Sequence, residues 1–202
     1  NNTSATYKFY WFWAIIEGVE SGERKIEKKD LFAKMLTLSW YTVNYFYISF
    51  GKQDAIQDAV REIKEIENIN IDIKHDQLHD KIRRSPNHKT SSILWHFDNN
   101  VPHKFLSPWL GSGTRKSVYE NSANPKFNAP YILEKEFITI NENGLEYIRA
   151  HSGIFKTFCY WNLTLFLQKR NPNVPDIANK IQRPLLRSGL SDQKKKYWDL
   201  VI

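Results

Sequence analysis

The stretch Phe9-Tyr-Trp-Phe-Trp-Ala-Ile-Ile16 is apolar without interruption, and it decides what kind of fold this chain can adopt. A helix that is apolar on every side is either buried in a core or lies in an interface. Thr3, Ser4 and Thr6 precede the stretch and are candidate N-caps. The sequence therefore predicts a buried helix over Tyr7–Val19, which other elements must cover.

A second apolar stretch runs from Leu31 to Phe50, with Lys34 as its one charged residue. It is twenty residues long, which is enough to cross a bilayer. Its content, however, is largely Tyr, Trp, Thr, Ser and Asn, and polar or charged groups are costly in lipid. We therefore predict a buried helix over Leu31–Tyr45 and no membrane span. A third helix is predicted over Ile154–Arg170, and the part Ile154–Leu167 is expected to complete the core.

The remaining pattern predicts a mainly α protein, an irregular helical domain with one small β-hairpin. Asp54–Ile66 has the apolar spacing of an amphipathic helix. Tyr131–Ile140 is typical of a hairpin, with its bend at Glu134-Lys-Glu136. Ile69–Ile73 alternates apolar and polar residues and predicts a short strand or an extended link. No repeat divides the chain, so residues 1–202 are predicted to form one domain.

Composition points to a protein that folds in a reducing compartment. Aromatic residues make up 14% of the chain and Cys159 is its one cysteine, so the chain is not disordered and carries no disulfide framework. Residues 1–4 do not resemble a secretory signal. We predict a cytoplasmic protein in which Cys159 is a small buried residue. The apolar end, Tyr197-Trp-Asp-Leu-Val-Ile202, suggests that the native chain continues beyond it.

Positive charge is concentrated in the second half of the chain. Residues 1–100 carry 14 cationic and 14 anionic side chains, whereas residues 101–202 carry 15 and 8, a net charge of +7. The segment 169–202 is the densest part, with eight cations against three acidic residues. Such density is typical of surfaces that neutralise DNA phosphates, although a solvated face explains it equally well. The candidate DNA-binding residues are Lys169, Arg170, Lys180, Arg183, Arg187, Lys194, Lys195 and Lys196.

Three short motifs are candidate sites for chemistry. His75 and His79 share one face of a predicted helix at a spacing that suits a divalent metal, but no third ligand is evident. Asp72-Ile-Lys74 matches half of a metal-dependent nuclease motif, a pattern common in a chain rich in Lys and Glu. Gly111-Ser-Gly-Thr-Arg-Lys116 could hold a phosphate but lacks P-loop spacing. We therefore predict no complete catalytic site, no metal site and no cofactor in this chain.

Three stretches give the chain a family resemblance: Ser4-Ala-Thr-Tyr-Lys-Phe-Tyr-Trp-Phe12, Val101-Pro-His-Lys-Phe-Leu-Ser-Pro108, and Asn162–Pro175 followed by Tyr197-Trp198. They resemble the region upstream of the catalytic domain in bacterial HNH-endonuclease-domain proteins of restriction or phage defence. The resemblance implies DNA cleavage by a metal-dependent module beyond residue 202, for which a divalent metal is expected. None of the histidines here matches the HNH pattern, and His96-Phe-Asp-Asn-Asn100 is its nearest imitation.

Three functional hypotheses follow from the sequence. The first is a non-catalytic DNA-binding or scaffold portion of an HNH-type endonuclease, with DNA as its partner and a homo-oligomer as a further possibility. The second is a helical module for protein–protein interaction or dimerisation, with no role in nucleic-acid binding. The third is a free-standing metal enzyme that uses His75 and His79.

Overall fold

The structure is a computed structural model that describes residues 6–52, 54–111 and 113–181. It confirms a mainly α fold with a small antiparallel sheet. The helices and strands are, in chain order, α1 (Tyr7–Glu20), β1 (Lys25–Glu27), α2 (Lys28–Asn44), α3 (Ala55–Ile66), α4 (His75–Arg83), α5 (His88–His96), α6 (Val101–Leu106), α7 (Arg115–Ser122), β2 (Tyr131–Leu133), β3 (Phe137–Ile140) and α8 (Glu142–Arg170).

Helices α1 and α2 form the centre of the core, as their unbroken apolar sequences predict. Helix α1 lies between α2 and α8, and Trp11 and Trp40 are fully buried. The indole of Trp11 donates to the hydroxyl of Tyr131 at 3.0 Å, and that hydroxyl donates to the Pro102 carbonyl at 3.0 Å. Each polar group of these buried rings thus has a partner, which removes the cost of burying it. None of the described helices is long and apolar enough to cross a membrane.

The predicted hairpin is present, and it belongs to a three-stranded sheet in the order β1-β3-β2. The third strand, β1, was not predicted, because residues 23–30 appear in the sequence as a charged connector. Its central residue, Ile26, pairs with Ile138 and is fully buried. A single inward-facing apolar side chain in a run of charged residues is too weak a signal for a strand.

The alternating segment Ile69–Ile73 forms neither the predicted strand nor an extended link, because it turns at residues 71–72, where the Ile73 amide donates to the Asn70 carbonyl at 3.3 Å. Side chains of α2 hold it in place: the Trp40 indole donates to the Ile71 carbonyl at 3.2 Å, and the Tyr41 hydroxyl donates to the Ile73 carbonyl. These two carbonyls are thus bound by side chains of a helix and not by a neighbouring strand.

Helix α8 is one element with a kink, and its second part contains the predicted helix Ile154–Arg170. The side chain of Asn141 caps it by accepting from the Gly144 amide at 2.6 Å. At His151 the backbone leaves helical geometry (φ −122°, ψ 16°), and the helix then continues to Arg170. Because residues 152–170 follow the kink, they run in a direction of their own along α1. The kink lies shortly before Ile154, where the sequence predicts the start of the third helix.

Candidate functional site

The predicted basic segment lies only partly within the described residues. Arg183, Arg187, Lys194, Lys195 and Lys196 are outside them. At the end of α8, Lys169 is exposed, whereas the guanidinium of Arg170 stacks on the Phe166 ring at 3.6 Å. Lys180 donates to the backbone carbonyls of Pro175 and Asp176. Of the three described cations, two are therefore engaged with neighbouring groups of the chain.

The two histidines of α4 are not arranged as a metal site. The Nε2 atom of His79 faces inward and lies 3.2 Å from a carboxylate oxygen of Asp30, while His75 lies beside Asp76. Arg83 and Lys34 also contact Asp30, at 2.9 and 3.4 Å. Within the described ranges, no group of three or more His, Cys, Asp or Glu side chains could hold a metal ion.

The buried carboxylate of Asp30 anchors α4 to α2. Burial opposes its charge and would raise its pKa. The contact with the imidazole of His79 and the positive charges of Lys34 and Arg83 outweigh that effect and hold the pKa of Asp30 below its usual range. His79 is therefore part of a structural ion-pair cluster and connects two helices.

The phosphate-loop candidate, residues 111–116, also makes contacts within the chain. Arg115 forms an ion pair with Asp98, and Lys116 lies 3.9 Å from Glu120. The side chain of Thr114 caps α7 by accepting from the Ser117 amide at 3.3 Å. Ser112 lies outside the described residues. The described loop side chains thus serve to start a helix and bind it to the neighbouring turn.

A buried lysine network lies beneath this loop, and no pattern in the sequence predicts it. Lys28 is fully buried, and its Nζ donates to Asp98 at 2.8 Å and to the Tyr119 hydroxyl at 2.8 Å. Arg115 binds the same carboxylate from the solvent side. The network connects the start of α2 to α7 and to the turn after α5. This is the role of the acidic residue in the HNH-like stretch His96–Asn100.

The surface feature that the fold does not explain is the outer side of α8. After the kink, four large apolar side chains are more than half exposed: Ile154 (67%), Phe158 (55%), Trp161 (61%) and Leu165 (52%). We call these four residues the α8 outer face. On the opposite side of the same helix, Cys159, Leu163 and Leu167 are fully buried. The core therefore needs only one of the two apolar stripes of α8.

The α8 outer face carries no charge. Between residues 150 and 168 the one charged side chain is Lys156. Lys156 points away from the face and binds Glu20 of α1. A solvated helix normally has charged residues on its exposed side, so this helix surface has the composition of a buried one.

An apolar groove of about 820 Å³ adjoins this face. The groove lies between α1, α6 and α8, and aromatic rings form most of its wall. Phe12 stacks on Phe105 and meets Phe155 edge to face, and Phe9 approaches Phe158 in the same way. Trp109, at its rim, is 51% exposed. Together the groove and the α8 outer face form one contiguous apolar surface.

Cys159 does not contribute a nucleophile to this surface. It is fully buried beneath the outer face, and burial raises the pKa of its thiol to about 12. The prediction of a small buried residue is confirmed. A thiol with so high a pKa is not ionised near neutral pH and is unreactive.

Comparison of the chain with protein-family models, curated protein sequences and solved structures gave no match. The resemblance to the HNH-endonuclease-domain proteins therefore stays a prediction. The site has to be judged from its own geometry and chemistry.

Sequence reasoning assigned Ile154–Leu167 wholly to the core, which is wrong for the residues of the outer face. A signal was present in the sequence. Apolar residues occur on two sides of this helix, at 154, 158, 161 and 165 and also at 159, 163 and 167. A helix that packs against the core through one face needs only one such series of apolar residues.

Proposed function

We propose that the chain is a non-catalytic helical interaction module that binds another polypeptide through the α8 outer face and the adjoining groove. The observation that carries this proposal is a charge-free row of four exposed apolar side chains on one helix. Contiguous apolar surface of this kind on a protein usually marks a binding site.

The rigidity of the site supports the proposal. The groove wall is built from rings that already contact one another, such as Phe12 with Phe105 at 5.7 Å between ring centres. Helix α8 itself is fixed to the core through Cys159, Leu163 and Leu167. A partner would therefore meet a surface that needs little rearrangement, which lowers the entropic cost of binding.

The chemistry of the surface limits the kind of partner. A small polar metabolite would find few hydrogen-bonding groups among Phe9, Phe12 and Phe105. A long apolar row on a helix is instead suited to another helix, whose side chains fit between its own. The exposed indole of Trp161 and ring of Phe158 are residue types that often dominate the binding energy of an interface.

A photo-crosslinking residue, p-benzoylphenylalanine, placed at Trp161 in cells that express the chain natively tests this function. We expect a covalent adduct with a polypeptide when the probe is at position 161. The matched control carries the probe at Tyr47, which is 73% exposed and lies outside both the groove and the face. Absence of an adduct at 161, or equal yields at both positions, would contradict the proposal.

A second candidate function is DNA binding as part of an HNH-type nuclease. The observation in its favour is the net charge of +7 carried entirely by residues 101–202. Contacts between lysines and DNA phosphates weaken steeply with salt, because counterions are released on binding. We expect duplex DNA to bind at low salt and to bind more weakly after Lys194, Lys195 and Lys196 are replaced by Glu. Unchanged affinity would show that these three lysines do not contact DNA. A chain that does not bind duplex DNA at low salt would exclude DNA binding as its function.

A further inference from the structure

We propose that the partner of the α8 outer face is a second copy of this chain, bound with its α8 antiparallel. The inference rests on the proposed function and adds the identity and the orientation of the bound polypeptide. Four features of α8 support it: the spacing of the exposed residues, the residues that flank them, the charges at the helix end and the size of the face.

The spacing of the outer face matches a helix-pairing surface. Ile154, Phe158, Trp161 and Leu165 follow one another at intervals of four, three and four residues. That alternation is the a/d pattern of helices that pair side by side. All four residues follow the kink at His151, so they lie on one uninterrupted helical segment.

The residues beside this row allow a second helix to approach closely. On one flank lie Thr157 and Thr164, seven residues apart. Thr157 is exposed, and the hydroxyl of Thr164 is turned back to the Tyr160 carbonyl at 2.9 Å. Small and internally satisfied side chains offer no charge that would have to be removed from water in the interface.

The row is complementary to itself when two copies run antiparallel. One register places Ile154 opposite Leu165 and Phe158 opposite Trp161, so that each of the four residues of one copy meets one of the other. A two-fold axis relates the two copies, so each contact occurs twice, as in most homodimers. Each layer then pairs side chains of the same type, two aliphatic in one and two aromatic in the other.

Charge favours this orientation over a parallel one. Lys169 and Arg170 occupy the last turn of α8. A parallel pair would bring four cations together at one end, together with two helix ends of like dipole. An antiparallel pair separates the cations and places helix ends of opposite dipole near each other.

The size of the face is sufficient for a specific dimer. Four large side chains that are more than half exposed, counted on both copies, remove on the order of 1,000 Å² from water, close to the lower limit for specific interfaces. The flanking residues and the rim of the groove add to this area. The expected complex is therefore a reversible dimer.

Sedimentation equilibrium of the full 202-residue chain tests the identity of the partner. We expect a monomer–dimer equilibrium, with dimerisation weakened about 30-fold or more by Trp161→Glu, as for residues that dominate an interface. The control Tyr47→Glu should dimerise like the parent chain, and circular dichroism should report both variants as folded. A parent chain that stays monomeric at millimolar concentration overturns the inference, as does a Trp161→Glu chain that dimerises normally.

Disulfide trapping tests the orientation in a Cys159→Ala background. Ile154→Cys and Leu165→Cys chains, oxidised separately, should stay unlinked, because identical positions would lie about 16 Å apart along the antiparallel pair. A mixture of the two chains should give a disulfide-linked dimer, since positions 154 and 165 then face each other. Linkage of each single variant on its own would show a parallel pair and overturn the proposed orientation.

The two proposals can fail separately. A monomeric chain whose probe at Trp161 still forms an adduct with a different protein rejects self-association and retains the interaction function. A monomeric chain that gives no adduct at this position rejects both proposals.

Discussion

Replacement of the buried Lys28 by Met should destabilise the fold much more than the same change at Lys25. Lys28 is fully buried and binds both Asp98 and the hydroxyl of Tyr119. The change removes both bonds and leaves the carboxylate of Asp98, whose side chain is 14% exposed, with Arg115 as its remaining cation. Breaking one partner of a buried ion pair costs about 3–5 kcal/mol.

We expect a loss of stability at the lower end of this range, because Arg115 still compensates part of the charge of Asp98. A loss of about 3 kcal/mol lowers the melting temperature of a domain of this size by roughly 6–12 °C. Lys25, three residues earlier in strand β1, offers a matched control: it binds Glu134 at 2.7 Å, but the two side chains are 52% and 38% exposed. Exposed pairs contribute about 0–1 kcal/mol.

Thermal and urea unfolding of the Lys28→Met and Lys25→Met chains, followed by circular dichroism, measure the difference. A double-mutant cycle with Asp98→Asn isolates the coupling between the two charges. Equal losses of unfolding free energy in the two variants, or a Lys28→Met chain as stable as the parent, would refute the reasoning. Burial of the lysine would then not determine how much stability its replacement removes.

Three further predictions concern other buried groups. Because the folded-state pKa of Asp30 is lowered, its charge stabilises the fold above the ordinary carboxylate pKa of about 4, and this contribution is lost as the pH falls through the lowered value. The free energy of unfolding should therefore fall less steeply with decreasing pH in Asp30→Asn than in the parent chain. An identical pH dependence in the two chains would show that this carboxylate makes no such contribution. Tyr131→Phe leaves the buried Trp11 indole without an acceptor, so urea unfolding should show a loss of about 1–3 kcal/mol; no loss would show that another acceptor is available. Cys159 should not react with a thiol reagent at pH 8 unless the chain is unfolded, and fast labelling of the native chain would contradict its burial.

The elements that the sequence predicted well are those whose pattern is local. The unbroken apolar runs around Trp11 and Trp40 predict buried helices, and both helices lie in the core. The amphipathic helix α3 follows from its apolar spacing, although Asp54, predicted as its first residue, is instead its N-cap and accepts from the Ile56 amide at 3.1 Å.

The features that the sequence did not predict depend on partners distant in the chain. Strand β1 exists because Ile26 meets Ile138, more than a hundred residues later. The role of Asp98 depends on Lys28, which is seventy residues away. Thr6 is the N-cap residue of α1, as predicted, but its hydroxyl donates to the distant Asp54 at 2.7 Å and does not cap the helix. No local pattern indicates which distant residue a polar side chain will meet.

The outer face of α8 was missed for a different reason. Apolar residues were assigned to the core because burial is their usual fate. Ile154 and Trp161 lie on the side of the helix opposite the buried Cys159, and a single sequence does not say which of two apolar stripes is buried in the core. The described residues of the basic segment show the opposite error. Arg170 and Lys180 were predicted to be free for DNA, but both contact neighbouring groups of the chain, which composition alone cannot indicate.

The position of α1 between α2 and α8 has a consequence for synthesis of the protein in the cell. The aromatic side chains of α1 are made first, but α8, a main element that covers them, is complete only at residue 170. At about 5–20 residues per second, this helix emerges from the ribosome roughly 10–30 s before its cover. During that interval the nascent chain presents a strongly apolar helix to the surrounding solution. The order of the elements thus leaves α1 incompletely covered until α8 is made, and a truncated chain that ends before α8 should aggregate.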